Sequence, residues 1–227
     1  MNPPHRVVAI DGPAASGKSS VARELARRLG FAYVNSGAMY RAVTWAVLDR
    51  GVDPTDQAAV GKVAADLRFD VGTDPDWPTI GVGGTDVSSA IREQRITSAV
   101  SAVSAVRSVR EAMVGLQRRL IGAGGIVIEG RDIATVVAPD AAVKVFLTAD
   151  QSARARRRAA EVDADHVRTE ADLARRDELD STRAASPLTR SPEATLIDAT
   201  DLTADEVVAI VLELVAATDS AQAERPR

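Results

Sequence analysis

Gly12-Pro13-Ala14-Ala15-Ser16-Gly17-Lys18-Ser19 fits the spacing G-x-x-x-x-G-K-[ST] and directly follows a short apolar run, Val7 to Ile10, that ends in Asp11. Glycines at the ends of such a loop let backbone N–H groups curl around an anion. The lysine adds a mobile positive charge for the outer phosphates, and the serine hydroxyl is placed for Mg²⁺. A helix-forming stretch from Lys18 to Leu29 comes next, so the loop opens a helix. The expected ligand is a nucleoside triphosphate, held by Gly12, Pro13, Ala14, Ala15, Ser16, Gly17, Lys18, Ser19 and Ser20, with Ser19 as the metal contact.

If the second substrate is itself a phosphate ester, its attacking oxygen is already ionised at neutral pH. No general base is then needed, and catalysis reduces to positioning and charge neutralisation. The chain offers no Ser–His–Asp or Cys–His arrangement but places arginines along its length. Four groups stand out. Asn35 to Arg41 lies at the end of a strand and the start of a helix, where Ser36 is either a ligand or a plain N-cap and Arg41 either a ligand or a solvated helix residue. Glu129-Gly130-Arg131-Asp132 follows another strand and reads as a binding turn or a surface turn. Arg176, Asp180 and Arg183 share one helical face, a pattern that intrahelical ion pairing explains equally well. Arg154, Arg156, Arg157 and Arg158, followed by the acidic stretch 161–165, form either a solvated helix face or a lid that closes over a phosphoryl group and excludes water.

Composition narrows the partners. The 227 residues suffice for one substantial α/β core with insertions. Aromatics make up 3% and the formal net charge is −4, so stacking platforms are scarce and a polyanion would be repelled overall. Nucleic-acid binding is therefore not expected, and any phosphate site must be a local concentration of Arg and Lys. The absence of cysteine excludes disulfides and thiolate chemistry and fits a reducing compartment. His5 and His166 are too few for a zinc site. The apolar N-terminal run is too short for a signal peptide or a membrane span, so the default expectation is a soluble, cytoplasmic, monomeric protein.

Apolar β-rich runs at 7–11, 31–35, 126–129, 143–147 and 194–198 alternate with helical patterns at 18–29, 37–50, 104–121, 151–160, 168–184 and 203–217. This is the signature of a three-layer α/β fold with a five-stranded parallel sheet. Thr203 and Glu206 form a capping-box pattern at the last helix. Between Asp66 and Ile96 the pattern breaks around Asp74–Pro78 and Gly81–Gly84, which reads as a small β-rich insertion. The Ser-Ala-Val repeats of Ser98–Val106 read as a helix. The division that follows is core at 1–60, insertion at 61–122, core at 123–152, lid at 153–172, core at 173–217 and a polar tail at 218–227.

With these residues in hand, the chain resembles the bacterial cytidylate kinases of the nucleoside-monophosphate kinase superfamily over roughly residues 6–216. The motifs are Ile-Asp-Gly-Pro-Ala-Ala-Ser-Gly-Lys-Ser at 10–19, Ser-Gly-Ala-Met-Tyr-Arg at 36–41 and Val-Arg-Glu-Ala at 109–112. Gly-Arg-Asp-Ile at 130–133 and Arg-Arg-Asp-Glu-Leu-Asp-Ser-Thr-Arg-Ala at 175–184 complete the set. The resemblance implies transfer of the ATP γ-phosphoryl group to CMP and dCMP with Mg²⁺, a step of pyrimidine nucleotide metabolism. It makes 61–122 the monophosphate-binding insertion and 153–172 a short lid.

It also implies roles. Arg41, Arg131 and Arg183 would hold the acceptor phosphate, Arg176 and Asp180 the ribose, and Ser101, Arg110 and Asp132 the cytosine, with Ser36 beside them. Lys18, Arg131, Arg157 and Arg158 would stabilise the transferring group. Asn35 stands where Asp is expected, Ala134 where Gly is usual and Leu179 where some relatives carry Arg; no Walker B aspartate is evident. A small-metabolite kinase of the same fold, acting on shikimate or dephospho-coenzyme A, lacks the Gly-Arg-Asp and Arg176/Asp180/Arg183 pattern together with the long insertion. A regulatory GTPase would need an Asn-Lys-x-Asp segment, which this chain does not contain.

Overall fold

The computed structural model describes residues 6–162, 166–183 and 186–223. In chain order it comprises β1 (Val7–Asp11), α1 (Lys18–Leu29), β2 (Ala32–Asn35), α2 (Ser36–Asp49), α3 (Gln57–Ala65), β3 (Phe69–Val71), β4 (Ile80–Val82) and β5 (Thr85–Asp86). There follow α4 (Gln94–Ala105), α5 (Arg107–Ile121), β6 (Ile126–Gly130), β7 (Val143–Thr148), α6 (Gln151–Val162), α7 (His166–Thr182), β8 (Thr195–Asp198) and α8 (Ala204–Ala223).

The main sheet is wholly parallel, in the order β2-β6-β1-β7-β8. Helices cover both of its faces, so the inner strands β1 and β6 read as Val/Ile-rich runs, while β7 alternates and the outer strand β8 is largely exposed. On one face Ala9, Val34, Ile126 and Ile128 pack against α2, α4 and α5; on the other Val8, Ile10, Val127, Val145 and Leu147 pack against α1 and α8. The period of two along β1 sends Val8 and Ile10 one way and Ala9 the other. The carboxyl ends of β1, β2 and β6 therefore meet at one edge, and the loops leaving them are the ones singled out by the sequence.

Three local features depart from the expected elements. Residues 104–121 are two helices: Val106, extended at φ −69°, ψ 122° and buried, breaks the run so that α4 and α5 each find their own packing angle. Residues 57–65, unassigned by periodicity, form α3, capped by Asp56, whose side chain accepts from Ala59 N at 3.0 Å. The β-branched run Ile133–Val137 forms one π-helical turn because the Asp11 carboxylate takes the N–H groups of both Ile133 and Ala134, each at 2.8 Å. The capping box at α8 is present: Thr203 N donates to Glu206 Oε2 at 2.8 Å and Glu206 N to Thr203 Oγ1 at 3.3 Å. That helix continues to Ala223, beyond the expected end at 217. His5, residues 163–165 of the acidic stretch and the last four residues of the expected tail lie outside the described residues.

Strands β3, β4 and β5 make a separate antiparallel sheet. The loop between β3 and β4 reaches back to the main sheet. Tyr33 N donates to Thr73 O at 2.8 Å, Arg23 Nε to Pro75 O at 2.9 Å, and Arg27 Nε pairs with Asp76 at 2.5 Å. Among the described residues no helix is long and apolar enough to cross a membrane.

Candidate active site

The loop between β1 and α1 is shaped from its ends inward. Gly12 has φ +151°, and a Cβ there would run into the Leu147 carbonyl of β7, so only glycine lets the loop pass so close to the neighbouring strand. Within the loop, Lys18 Nζ donates to Pro13 O at 2.5 Å and to Ser16 Oγ at 3.2 Å. Burial, and next Arg131, push this lysine down from 10.5 to about 7. Ser19 and Ser20 are exposed on the first turn of α1. Ala14 is engaged on its outer side: its N–H donates to Asp177 Oδ1 at 3.2 Å, and its carbonyl accepts from Arg154 Nη1 at 3.1 Å.

At the end of β6, beside the loop, Glu129 is buried and accepts from the Tyr33 hydroxyl at 2.6 Å. Burial and this carboxylate push the Tyr33 phenol up, and Ser19 lies beside it. Asn35 Nδ2 reaches the same hydroxyl at 3.3 Å, while its Oδ1 caps α2 by accepting from Ala38 N at 2.9 Å. Asn35 is thus the N-cap, a role for which Asn and Asp are equally suited. Ser36 is the first helical residue instead of the cap, and its hydroxyl donates to Glu129 O at 2.7 Å. A Cβ on Gly130 would lie 2.5 Å from that hydroxyl and 2.7 Å from Ile133 Cδ1.

Arginines from four elements converge on this edge. Arg41 of α2 is half-buried and holds Ile91 O and Thr97 Oγ1, each at 2.9 Å, so it is a packed residue and not a solvated one. Burial, then Arg176, Arg158, Arg131 and Arg92, push it down to about 9. Arg176 is pushed down to about 10 by burial and Arg131. Arg131 Nε pairs with Asp180 at 3.0 Å, closer than the 3.9 Å between Arg183 and Asp180. The α7 face is therefore answered from across the cleft, and intrahelical pairing does not account for it. Arg183 Nε donates to Ser186 O at 2.6 Å; burial and then Arg110 push this arginine down. In Arg41, Arg176 and Arg183 burial acts first and a neighbouring guanidinium second, so the cleft gathers positive charge away from water. Such an arrangement favours anions in the cleft.

Next to this cluster, Arg110 of α5 and Asp132 form an ion pair with both side chains buried. Arg110 Nη1 also donates to Ser104 O at 3.3 Å, and its guanidinium lies 5.4 Å from the Tyr40 ring centroid. Ser104 Oγ in turn donates to the carbonyl of half-buried Ser101 at 3.1 Å. Among the described residues Arg110 Nε is buried with no hydrogen-bond partner, and the buried Tyr40 hydroxyl has the Gln117 side chain beside it.

Helical geometry splits the arginine run of α6. Arg154 faces inward, bonded to Ala149 O, Ala14 O and Asp177; Arg156 is exposed. Arg157 Nη2 turns to the β8–α8 loop, bonding Ala199 O at 2.5 Å and Thr200 O at 3.4 Å. It lines a cavity of about 380 Å³ with Ala15, Gly17, Ser20, Leu202 and Thr203. Arg158 acts on Arg41 and Arg176. The sequence did not single out Asp11, Tyr33 or Asp177. Asp177 stood within the Arg175–Ala184 motif, next to Arg176, and Tyr33 faced Glu129 one strand away.

A family model described as cytidylate kinase matches residues 8–217. The cytidylate kinase of Mycolicibacterium paratuberculosis is 52% identical over 215 residues, covering 92% of this chain and 94% of that protein. The cytidylate kinase of Streptomyces avermitilis is 47% identical over 215 residues, 93% of each chain. Among solved structures, an uncharacterized protein from Eubacterium ventriosum has a TM-score of 0.54 at 11% identity, covering 93% of this chain and 98% of its own, a likeness of fold alone.

Proposed function

The chain belongs to the cytidylate kinase family, and from that premise we propose that it transfers the γ-phosphoryl group of ATP in line to the phosphate of CMP or dCMP. The observation that carries the assignment of roles is the crowding of Lys18, Arg41, Arg131 and Arg176 at the edge where β1, β2 and β6 end, against the buried Arg110–Asp132 pair. Two polyanions brought end to end repel each other; guanidinium and ammonium groups aimed between them lower that barrier. In this reading Lys18, Arg131 and Arg158 take that role, and Arg41 and Arg183, with Arg131, hold the acceptor phosphate. Arg176 and Asp180 take the ribose, with the attacking phosphate oxygen needing no base.

Base reading follows from donor and acceptor chemistry. Cytosine offers its N4 amino group to a carboxylate, whereas uracil offers an acceptor there and meets the Asp132 carboxylate unfavourably. In this reading Arg110, paired with Asp132, shares the base contact, and Ser36 and Ser101 complete it. The insertion at 61–122 closes on the monophosphate and the lid at 153–172 on the donor. Arg157, held to loop carbonyls beside the cavity, borders the base of ATP and leaves the transferring group to Arg158.

Among the described residues, no group of three or more His, Cys, Asp or Glu gathers to hold a metal ion. The available donors are the exposed Ser19 hydroxyl and, behind it, Glu129 engaged by Tyr33. This set fits a Mg²⁺ that arrives on the ATP phosphates and retains most of its waters; bound there, it would neutralise phosphate charge.

ADP release measured with ATP plus CMP, dCMP, UMP, AMP, GMP or shikimate in turn tests the assignment. CMP and dCMP should turn over fastest; faster turnover with AMP, GMP or shikimate would overturn it. Gly130→Ala is expected to raise KM for CMP roughly 10-fold by displacing Ser36 and Ile133, with KM for ATP little changed. An unaltered KM for CMP would show that the turn yields without moving the pocket.

A further inference from the structure

We propose that Arg154 and Asp177 are positioning residues for the donor phosphates, bracing the backbone of Ala14 and so joining the phosphate loop to the paired helices α6 and α7. Ala14 gives its N–H to Asp177 Oδ1 at 3.2 Å and receives Arg154 Nη1 on its carbonyl at 3.1 Å, and the two side chains pair with each other. Arg154 is itself anchored by Nε on Ala149 O at 3.0 Å. The same contact has an apolar half: Ala14, Ala155 of α6 and Leu173 of α7 form a small cluster against which Ala15 packs.

Ala15 sits at φ +58°, in the left-handed region that a residue with a Cβ holds only when its surroundings impose it. The brace and the cluster are those surroundings. They turn the amides that follow Ala15 inward around the anion site. A carboxylate so near triphosphate would ordinarily repel it; Arg154 cancels that charge and leaves Asp177 free to hold the loop. Donor binding and lid placement then share one fastening, because the helix that carries Arg158 also carries Arg154.

The inference rests on the loop being the ATP site, and its test separates the two. Arg154→Met and Asp177→Leu, singly and together, are compared with the parent for melting temperature, ATP affinity by calorimetry without acceptor, and KM for ATP and for CMP. Each single variant strands a charge and should melt lower, while the double variant replaces the pair by apolar side chains and should recover. In the double variant, ATP affinity should remain roughly 10- to 100-fold weaker and KM for CMP unchanged, since a misplaced loop costs positioning even when the fold is sound. Parental ATP affinity in a double variant that melts like the parent would overturn the brace. Should the double variant melt low, Asp177→Asn, which keeps an oxygen for the Ala14 N–H, is compared with Asp177→Leu: ATP affinity nearer the parent's in the Asn variant, with KM for CMP unaffected in both, supports the brace, and equally weakened or equally parental ATP affinity in the two overturns it. A parent that binds ATP but leaves CMP unphosphorylated would refute the proposed acceptor, not the brace.

Discussion

Lys18→Met should reduce phosphoryl transfer by about three orders of magnitude, since a preorganised cation aimed at developing phosphate charge carries much of the rate enhancement in a water-excluded site. Turnover within tenfold of the parent would remove Lys18 from that role. The same change should make the protein more stable without nucleotide. Burial and Arg131 hold Lys18 near 7 in the folded state, against 10.5 for a free lysine. Between those values the unfolded chain binds a proton that the folded one releases, so the parent's stability rises with pH across this window. The stabilisation gained by Lys18→Met is therefore greatest at about pH 7 and below, and it fades as pH approaches 10.5. Denaturant midpoints of both proteins across that range check the sign. At pH 8, ATP binding to the parent should draw a proton onto Lys18, visible by calorimetry in buffers of different ionisation heat and lost in the variant.

Asp132→Ala is expected to act on the fold and on base choice together. Arg110 would be left buried with the Ser104 carbonyl and the Tyr40 face for company, which costs about 3–5 kcal/mol of stability. The preference for CMP over UMP should shrink by roughly 10- to 100-fold in kcat/KM, the worth of a hydrogen bond to a charged group. Asp132→Asn separates the effects: it keeps the shape and presents an amide N–H to which uracil O4 can accept. Its UMP-to-CMP ratio should rise, and a ratio equal to the parent's would exclude Asp132 from reading the base.

The inner strands β1 and β6 were legible because burial on both faces turns them into apolar, Val- and Ile-rich runs, whereas β2 and the exposed β8 were marked by their place between helical patterns. The phosphate loop was legible because few residues can curl amides round an anion. The elements that escaped were those decided by distant partners. Ile133–Val137 has the composition of a strand and becomes a π turn only because Asp11, more than a hundred residues earlier, captures two of its amides. The break at Val106 is set by packing of that side chain into the core, and α3 carries Gly61 in mid-helix and shows little periodicity. In the site, arginine types and positions could be read, but their division of labour could not. Arg154, Arg157 and Arg158 are near neighbours in sequence, yet they meet the phosphate loop, the β8–α8 carbonyls and the Arg41–Arg176 cluster respectively.

The loop from Thr73 to Pro78 has a consequence outside catalysis. β2 is an outer strand of the main sheet, and a bare outer strand invites pairing with the same strand of another molecule. Thr73 O occupies the outward N–H of Tyr33, while Arg23 and Arg27 pin the loop over that border. The segment that links β3 to β4 past the core is thus also a guard against sheet-to-sheet aggregation, and shortening it would threaten solubility before it touched chemistry.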